Sequence, residues 1–445
     1  MLFYTWGRKR RKIRHPLKAR IIEIREGARF FAGTGGAGDA GSIVVEADRL
    51  SLSNDTSPFF SSLGTNSFGS AQLVRGNAGD IIVNVGTLEL LTGGVLRATI
   101  AAPAKGGDVL ITADRVVISG DGTVFPIDEF TPFRPSPGNF TAIVSSGVDI
   151  TSGEAGNITI NAGSIEIGGG AVIASTVEGV GSGGAITLNS GVLTMTEGAR
   201  LDASTFGPGA GGDIVVNVTD DVLLNGESGG FFVESFSTKP DAGLAGSIFV
   251  TANTLSVENG TQISTNSAVA DGGTIDIQVA ELVFVSESSI TTSVGDGSGA
   301  GGNILIDPQF VVLNDARIQA NAFGGPGGNI LIVATNFVAS PDSVVEASSQ
   351  LGIDGNVTID ASQRDLVGQV VVLPDELLDA TQQLAEQCSA RGGKTLATFV
   401  GRGRSGLPQQ PGGVIFAEYG DGDHAASGSS GSMLQPGRLQ ISCSR

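Results

Sequence analysis

Carboxylate and guanidinium side chains are the groups with which this chain could do chemistry. Enzymes that cleave polysaccharides place clustered carboxylates beside Arg or Lys, because the reaction needs an acid, a base and a stabilised negative charge. Here the one adjacent Asp pair, Asp220-Asp221, falls in a predicted solvated turn, and Arg115, Arg200 and Arg317 are far apart in the repeat described below. The sequence therefore assigns no catalytic residue.

Imidazole and thiol groups are scarce and lie near the chain ends. The body of the chain between His15 and His424 has no imidazole for general-base work or metal ligation. Cys388 and Cys443 lack metal-ligand spacing, and the sequence is compatible both with a disulfide between them and with two separate thiols. We therefore expect no metal ligand, no cofactor-binding residue and no cofactor.

Charge is distributed unevenly along the 445 residues. The chain has 26 Lys and Arg against 45 Asp and Glu, and 10 of the basic residues fall within Met1–Phe30. The rest is strongly acidic and repels phosphate backbones, so we expect no nucleic-acid binding by the main domain. The basic run Arg8–Arg20 is either an electrostatic patch for nucleic acid or anionic membranes, or a leader unrelated to the body.

A repeat accounts for many of the 68 glycines. Its unit is a small residue and Gly, a polar residue, an apolar-x-apolar pair, a gap and a second such pair, as in Gly156–Ile160 followed by Ile165-Glu166-Ile167. Many copies add a third short segment, and most steps between copies are close to 28 residues. The Gly before the first pair marks each copy, and these marker glycines are Gly41, Gly79, Gly107, Gly156, Gly184, Gly212, Gly246, Gly273, Gly302, Gly328 and Gly355.

This unit predicts an all-β parallel β-helix. Each of its three short strands alternates apolar and polar residues, which requires one buried and one solvated face. One unit cannot bury its apolar face alone, so successive units must stack with each strand parallel to its equivalent. About eleven or more such rungs, spaced by about 4.8 Å, give a rod about 50 Å long. We expect the marker glycines at corners that need a positive φ.

The polar residue after the marker glycine has two interpretations. These side chains either stack as hydrogen-bonded ladders or bind calcium, but the Gly-Gly-x-Gly-x-Asp nonapeptide of calcium-binding β-rolls is not repeated here. We predict ladders and no metal. The residues concerned are Asn157, Asp213, Asn303, Asn329 and Asn356.

Three insertions lengthen the repeat, at 52–75, 119–153 and 225–244. The second combines several prolines with Phe125, Phe130, Phe133 and Arg134. Long loops on a rigid scaffold often carry recognition, so these four residues are the candidate ligand-contact loop. The alternative is that the rings fold back over the flank of the rod as a local cover.

Ser and Thr recur in the third segment of several units. We expect these hydroxyls on a solvated face, where they could contact a sugar, although the Trp or Tyr platform usual in sugar sites is missing from the body. The residues are Ser204-Thr205, Ser264-Thr265 and Thr291-Thr292-Ser293.

The repeat divides the chain into four parts. Residues 1–20 are a basic leader, predicted to be non-native or disordered, and residues 21–373 hold the β-helix with its insertions. A helix-start signal at Pro374 predicts a capping helix and strand over 374–400, which would cover the last rung. The Gly/Ser/Pro-rich residues 401–445 are predicted to form a flexible tail.

The tail carries the most specific motifs. Asp365-Leu366-Val367 and Val371–Pro374 precede Cys388, and Thr398–Gly403 is followed by Gly406-Leu407-Pro408. Together with the 28-residue unit and the Phe/Pro-rich insertion, these motifs resemble the large cyanobacterial exoproteins similar to filamentous haemagglutinin, which are exported by two-partner secretion.

The resemblance implies a right-handed parallel β-helix that works as a non-enzymatic adhesin-like rod. Its implied partners are an outer-membrane secretion pore of the two-partner type and an unknown surface glycan or protein receptor. The implied location is extracellular or on the outer-membrane surface. Because no signal peptide or secretion domain is recognised, we expect the C-terminal repeat portion of a longer exoprotein with non-native sequence at each end. The alternatives are a β-helix polysaccharide lyase or hydrolase, and a non-functional gene fragment.

Overall fold

The structure, a computed structural model, describes residues 2–4, 16–68, 76–101, 103–123, 139–147 and 153–364. Within these ranges the chain consists of strands, turns and loops without a helix. No helix in this part of the chain therefore has the length and hydropathy to cross a bilayer. The predicted capping helix at 374–400 and the tail at 401–445 lie outside the described residues.

The described ranges contain 27 β-strands. In chain order these are β1 (Leu2–Tyr4), β2 (Leu17–Ile24), β3 (Arg29–Gly33), β4 (Ile43–Leu52), β5 (Ser61–Phe68), β6 (Ile81–Leu91), β7 (Gly94–Ala101), β8 (Val109–Ser119), β9 (Ala142–Val144), β10 (Ile158–Gly168), β11 (Val172–Ala174), β12 (Ile186–Ser190), β13 (Val192–Thr196), β14 (Arg200–Asp202), β15 (Ile214–Val218), β16 (Asp221–Asn225), β17 (Gly230–Phe232), β18 (Ile248–Glu258), β19 (Gln262–Ser264), β20 (Thr274–Ser286), β21 (Ser289–Thr291), β22 (Asn303–Asp307), β23 (Phe310–Asn314), β24 (Arg317–Gln319), β25 (Ile330–Ala339), β26 (Val344–Glu346) and β27 (Val357–Arg364).

The strands form two parallel sheets between which the chain alternates. Sheet A is 12-stranded and has the order β1-β3-β5-β7-β9-β11-β14-β17-β19-β21-β24-β26. Sheet B is 15-stranded and contains the remaining strands. Each unit adds one layer to both sheets, so that β10 pairs with β12 through Ile158 and Ile186, and β11 pairs with β14 through Val172 and Arg200. The predicted all-β class with parallel pairing is confirmed.

Sheet B combines the first two predicted strands of each unit. β10, for example, runs through both Ile158–Ile160 and Ile165–Ile167. The two segments are separate strands in three described units, as β12 and β13, β15 and β16, and β22 and β23. The first two segments of a unit thus belong to one sheet, with a bend between them in these three units, and the third segment forms sheet A.

The core lies between the two sheets. In β10 the side chains of Ile158, Ile160, Ile165 and Ile167 are buried while their neighbours alternate outward. Equivalent residues of the other units continue the same apolar cluster from Ile43 to Ala347. Parallel register therefore places like residues on like residues, and each unit shields the next from water.

The marker glycines are required by close backbone contact rather than by a positive φ. A Cβ built on Gly184 would collide with the carbonyl oxygen of Gly156, and one on Gly212 with that of Gly184. The same collision recurs at each marker glycine from Gly79 to Gly355. None of the described marker glycines has a positive φ. The predicted conformational reason was therefore wrong, although the positions were right.

Most positive φ values occur instead where the chain leaves sheet B for sheet A. At this corner the left-handed residues include non-glycines such as Glu197 (φ 53°) and Asn259 (φ 57°), each followed by a Gly of positive φ. The marker glycines, stacked on one another through successive units, are here called the glycine column. The corner between the sheets and the glycine column are thus separate features of the unit.

Ladders of polar side chains connect the units, as predicted. The Oδ1 of Asn157 accepts from the backbone N of Ala185 at 2.9 Å, and the Oδ1 of Asp213 accepts from that of Ser247 at 2.8 Å. Asn303 Oδ1 accepts both the backbone N and Nδ2 of Asn329 at 3.1 Å. Asn356 differs, because its amide donates to Thr358 of its own strand at 2.8 Å. An amide ladder that we did not predict joins Asn161, Asn189 and Asn217.

The Ser and Thr residues of the third segment are mostly buried, so the predicted solvated face was wrong. Ser204, Thr205, Ser264, Thr265 and Thr292 are fully buried. The hydroxyls of Thr265 and Thr292 have no partner among the described residues. Other hydroxyls at this edge bond the backbone of the marker-glycine loops, as Thr205 Oγ1 does by donating to Gly209 O at 2.6 Å. Equivalent contacts run from Ser145 Oγ to Gly107 O at 2.7 Å and from Ser175 Oγ to Gly156 O at 2.8 Å.

Two predicted boundaries change in the structure. The segment 52–75 includes β5, which was hidden in the sequence because Leu63 is the one large apolar residue among Ser61–Asn66. β2 begins at Leu17, inside the predicted leader, and its Lys18 forms an ion pair with Glu46 at 2.5 Å.

A substitution in the glycine column tests this packing. Gly184→Ala should lower the free energy of unfolding by at least about 2 kcal/mol, because the new Cβ forces two backbones apart. Gly36→Ala is the matched control, since nothing lies within 4 Å of a Cβ at Gly36. Its unfolding midpoint in urea should stay close to that of the parent. Equal midpoints for the two variants would contradict the packing role.

Candidate functional site

Sheet A presents its outer face away from the core between the sheets. Along β14, Leu201 belongs to that core, whereas Arg200 and Asp202 point to the opposite side. The outer face carries a second apolar cluster of Val95, Phe140, Ala142, Val144, Val172 and Ala174, all buried. A solvated outer face would carry polar residues at these positions, so this face differs from the outer face of sheet B.

Beside this apolar cluster lies a buried group of ionisable residues, here called the charged cluster: Arg200, Asp202, Glu234 and their neighbours Phe232 and Ser264. Arg200 Nη2 lies 3.1 Å from Asp202 Oδ2, and both residues are buried, at 5% and 2% exposure. The guanidinium carbon of Arg200 lies 3.8 Å from the ring centroid of Phe232. Burial of this charge is thus compensated by a carboxylate and by an aromatic face.

Glu234 is the second acid of the charged cluster and is 8% exposed. The hydroxyl of Ser264 donates to its Oε1, and its backbone N donates to Ser204 Oγ at 2.9 Å. Burial raises the pKa of Glu234, and the nearby charge of Asp202 raises it further, against the opposing effects of Ser264, Arg200 and Asn266. A carboxyl of raised pKa close to a second acidic side chain is the arrangement found where one acid serves as general acid.

Arg200 could be singled out from the sequence, but its grouping with Asp202 and Glu234 could not. Asp202 lies opposite Phe232 in the register. Two residues further along the two strands, Ser204 therefore lies next to Glu234. These segments are 30 residues apart, within a step of the repeat that is longer than 28, and the uneven spacing hid the match. Alignment of the third segments by their own pattern would have found it.

The other candidate residues are separate, as expected. Arg115 lies on sheet B and binds Glu166 at 2.8 Å, whereas Arg317 is an exposed residue of β24 in sheet A. Asp220 and Asp221 are exposed where β15 meets β16. The four residues of the candidate ligand-contact loop, Phe125, Phe130, Phe133 and Arg134, lie outside the described residues.

An open cavity of about 650 Å³ lies at the corner between the sheets. Three acids line it, Asp121, Glu197 and Glu227, together with glycines. Asn139 Nδ2 donates a hydrogen bond to Asp121 Oδ2 at 2.6 Å, and this bond is the main reason why the pKa of Asp121 is lowered. Within the described ranges, no three His, Cys, Asp or Glu side chains are grouped closely enough to hold a metal ion.

Comparison with protein-family models, with curated proteins and with solved structures gives no match to this chain. The likeness to exoproteins of the filamentous haemagglutinin type therefore stays a prediction from the sequence motifs.

The charged cluster predicts a specific pH dependence of stability. Because folding raises its pKa, Glu234 binds its proton more tightly in the folded chain than in the unfolded chain. The free energy of unfolding therefore falls as the pH rises above the pKa that Glu234 has in the unfolded chain. Glu234→Gln keeps the shape and the hydrogen bond but removes the charge. Between about pH 4 and about pH 8 the variant should lose about 1–3 kcal/mol less stability than the parent.

Urea unfolding of both proteins at several pH values measures this difference. Glu227→Gln removes a charge from an exposed position and serves as the control. Parallel pH profiles for the parent and Glu234→Gln would contradict the buried, raised carboxyl.

Proposed function

We propose that this chain is a right-handed parallel β-helix that works as a non-enzymatic, adhesin-like rod in secreted form or on a cell surface. Its export would use an outer-membrane pore of the two-partner type. The ligand of the rod is a surface glycan or protein receptor, bound by side chains that the stacked units display.

The observation that carries this proposal is the continuous parallel register of both sheets. Eleven units from β2 to β26 each add a strand to both sheets without a break in the described pairing. A stack in which each layer is bonded to its neighbours through backbone ladders and side-chain ladders is stiff, and its outer side chains keep fixed spacings. Such a scaffold suits multivalent contact with a repetitive surface.

The charged cluster favours a second candidate, a polysaccharide lyase or hydrolase. It holds two carboxyls and a guanidinium, the residue types such enzymes need. Its burial argues against this role, because Arg200, Asp202 and Glu234 are each less than 10% exposed and a substrate would have to reach them. An internal ion pair that stabilises the outer face of sheet A explains the same geometry.

Incubation with plant, algal and bacterial polysaccharides separates the two candidates. We expect retention of the chain on at least one immobilised polysaccharide or cell surface, with no oligosaccharide released into solution. Release of oligosaccharides by the parent but not by Glu234→Gln would overturn the adhesin proposal and favour the enzyme. The Glu227→Gln variant controls for a general loss of charge.

A further inference from the structure

Two arginines pack against one phenylalanine on the outer face of sheet A near its N-terminal end. Arg29 lies at the start of β3 and Arg97 lies in β7, on either side of β5. Their guanidinium carbons lie 4.8 Å and 5.5 Å from the ring centroid of the same residue, Phe60. Arg29 also lies over Phe59, at 5.3 Å. We call Arg29 and Arg97 the arginine pair.

Gly64 makes room for this arrangement. It lies between Phe31 and Arg97 in the sheet register, where a Cβ would collide with the ring of Phe31 and approach Arg97 Cγ to 3.0 Å. The Phe31 ring and the stem of Arg97 therefore cover β5 at a point without a side chain, and Arg97 Cζ lies 5.3 Å from the ring centroid of Phe31. The position of the guanidinium is set by packing on both sides.

Neither arginine has a carboxylate partner in the described part of the chain. Six other basic residues there form ion pairs, and all six partners are Asp or Glu. In a chain with 45 acids and 26 Lys and Arg, two neighbouring guanidinium groups without a counter-ion are unexpected.

The arginine pair also has unused hydrogen-bond donors. Arg97 Nη2 donates to the side-chain oxygen of Asn66 at 2.7 Å when that amide takes the orientation that satisfies both of its ends. Among the described residues, Arg97 Nε is buried without a partner, and so is the hydroxyl of Ser62, which lies opposite Arg29 in the register. The hydrogen-bond donors of Arg97 are therefore incompletely satisfied by the described residues.

The electrostatic state of Arg97 agrees with this geometry. Burial, followed by the charge of Arg29, lowers the pKa of Arg97 to about 10. Desolvation of this cation is thus not compensated by any anion in the described part of the chain, and an oxyanion bound beside the two arginines would remove its cost.

We propose that the arginine pair binds the carboxylate or sulfate group of an acidic sugar, with Phe59 as the apolar surface for the sugar ring. This inference rests on the proposed function and names its ligand class. Guanidinium groups bind such oxyanions through paired hydrogen bonds, and Phe59 is 57% exposed beside Arg29. Because the body of the chain is strongly acidic, the ligand carries isolated acidic groups on an otherwise neutral glycan rather than a dense negative charge.

Calorimetric titration of the full chain tests the site with four probes: an oligosaccharide with one uronic acid, its neutral counterpart, a densely sulfated oligosaccharide, and sodium sulfate. We expect the uronic-acid oligosaccharide to bind more tightly than the other three, and its affinity to fall as salt is added. Equal affinity for the neutral counterpart would overturn the proposal. Sulfate binding as tight as that of the oligosaccharide would show an ion site only and would overturn the sugar part.

Three variants assign the binding to the arginine pair. Arg29→Gln and Arg97→Gln should each weaken binding of the uronic-acid oligosaccharide by at least about tenfold. Arg317→Gln is the matched control, because it removes the same charge from an exposed position of sheet A, and it should change the affinity less than about twofold. Unchanged affinity in Arg29→Gln would overturn the proposal.

A separate control shows whether each variant is folded. Arg29 is exposed, so Arg29→Gln should keep the unfolding midpoint of the parent, and this variant decides the outcome if Arg97→Gln unfolds. The proposed function and this inference fail differently. Retention on cell surfaces that persists in Arg29→Gln would overturn the site alone, whereas release of oligosaccharides would overturn the adhesin rod.

Discussion

Backbone contact between successive marker glycines is the constraint on which the other features depend. Where the Cα of Gly184 lies against the carbonyl of Gly156, no side chain fits, and the two units approach until their strands pair. That spacing sets the register of both sheets. The register in turn stacks apolar residues into one core and places each ladder side chain next to the backbone N that it bonds.

The two sheets use this register differently. Sheet B turns alternating polar residues outward, and their amides and carboxylates connect neighbouring units. Sheet A carries on its outer face an apolar cluster, the charged cluster and the arginine pair. The side chains able to bind a ligand are therefore concentrated on this face. In the charged cluster a carboxylate compensates the guanidinium, whereas in the arginine pair no described acid does. This contrast makes the second group the better candidate for an external anion.

Local patterns predicted the repeated unit well, because a period of two and a spaced Gly report directly on strands and stacking. The buried Ile158, Ile160, Ile165 and Ile167 could be read from their alternation. The physical reason for the marker glycines could not be predicted from the sequence, because close backbone approach and a positive φ both select glycine. The hydroxyl of Thr205 was wrongly expected on a solvated face, because polarity alone does not distinguish water from a backbone carbonyl, here that of Gly209, as the partner. Glu234 and the arginine pair depend on register across units of unequal length, which no local pattern contains.

The ladders and the glycine column have a consequence for how such a chain changes in evolution. Removal or duplication of one whole unit leaves each Gly on a Gly and each ladder oxygen beside a backbone N, whereas loss of a few residues inside a strand breaks all of these contacts at once. Extra residues are accommodated where the step between marker glycines grows, as from Gly41 to Gly79 and from Gly107 to Gly156. The length of the stack of units therefore changes in whole steps, by one strand spacing for each unit gained or lost.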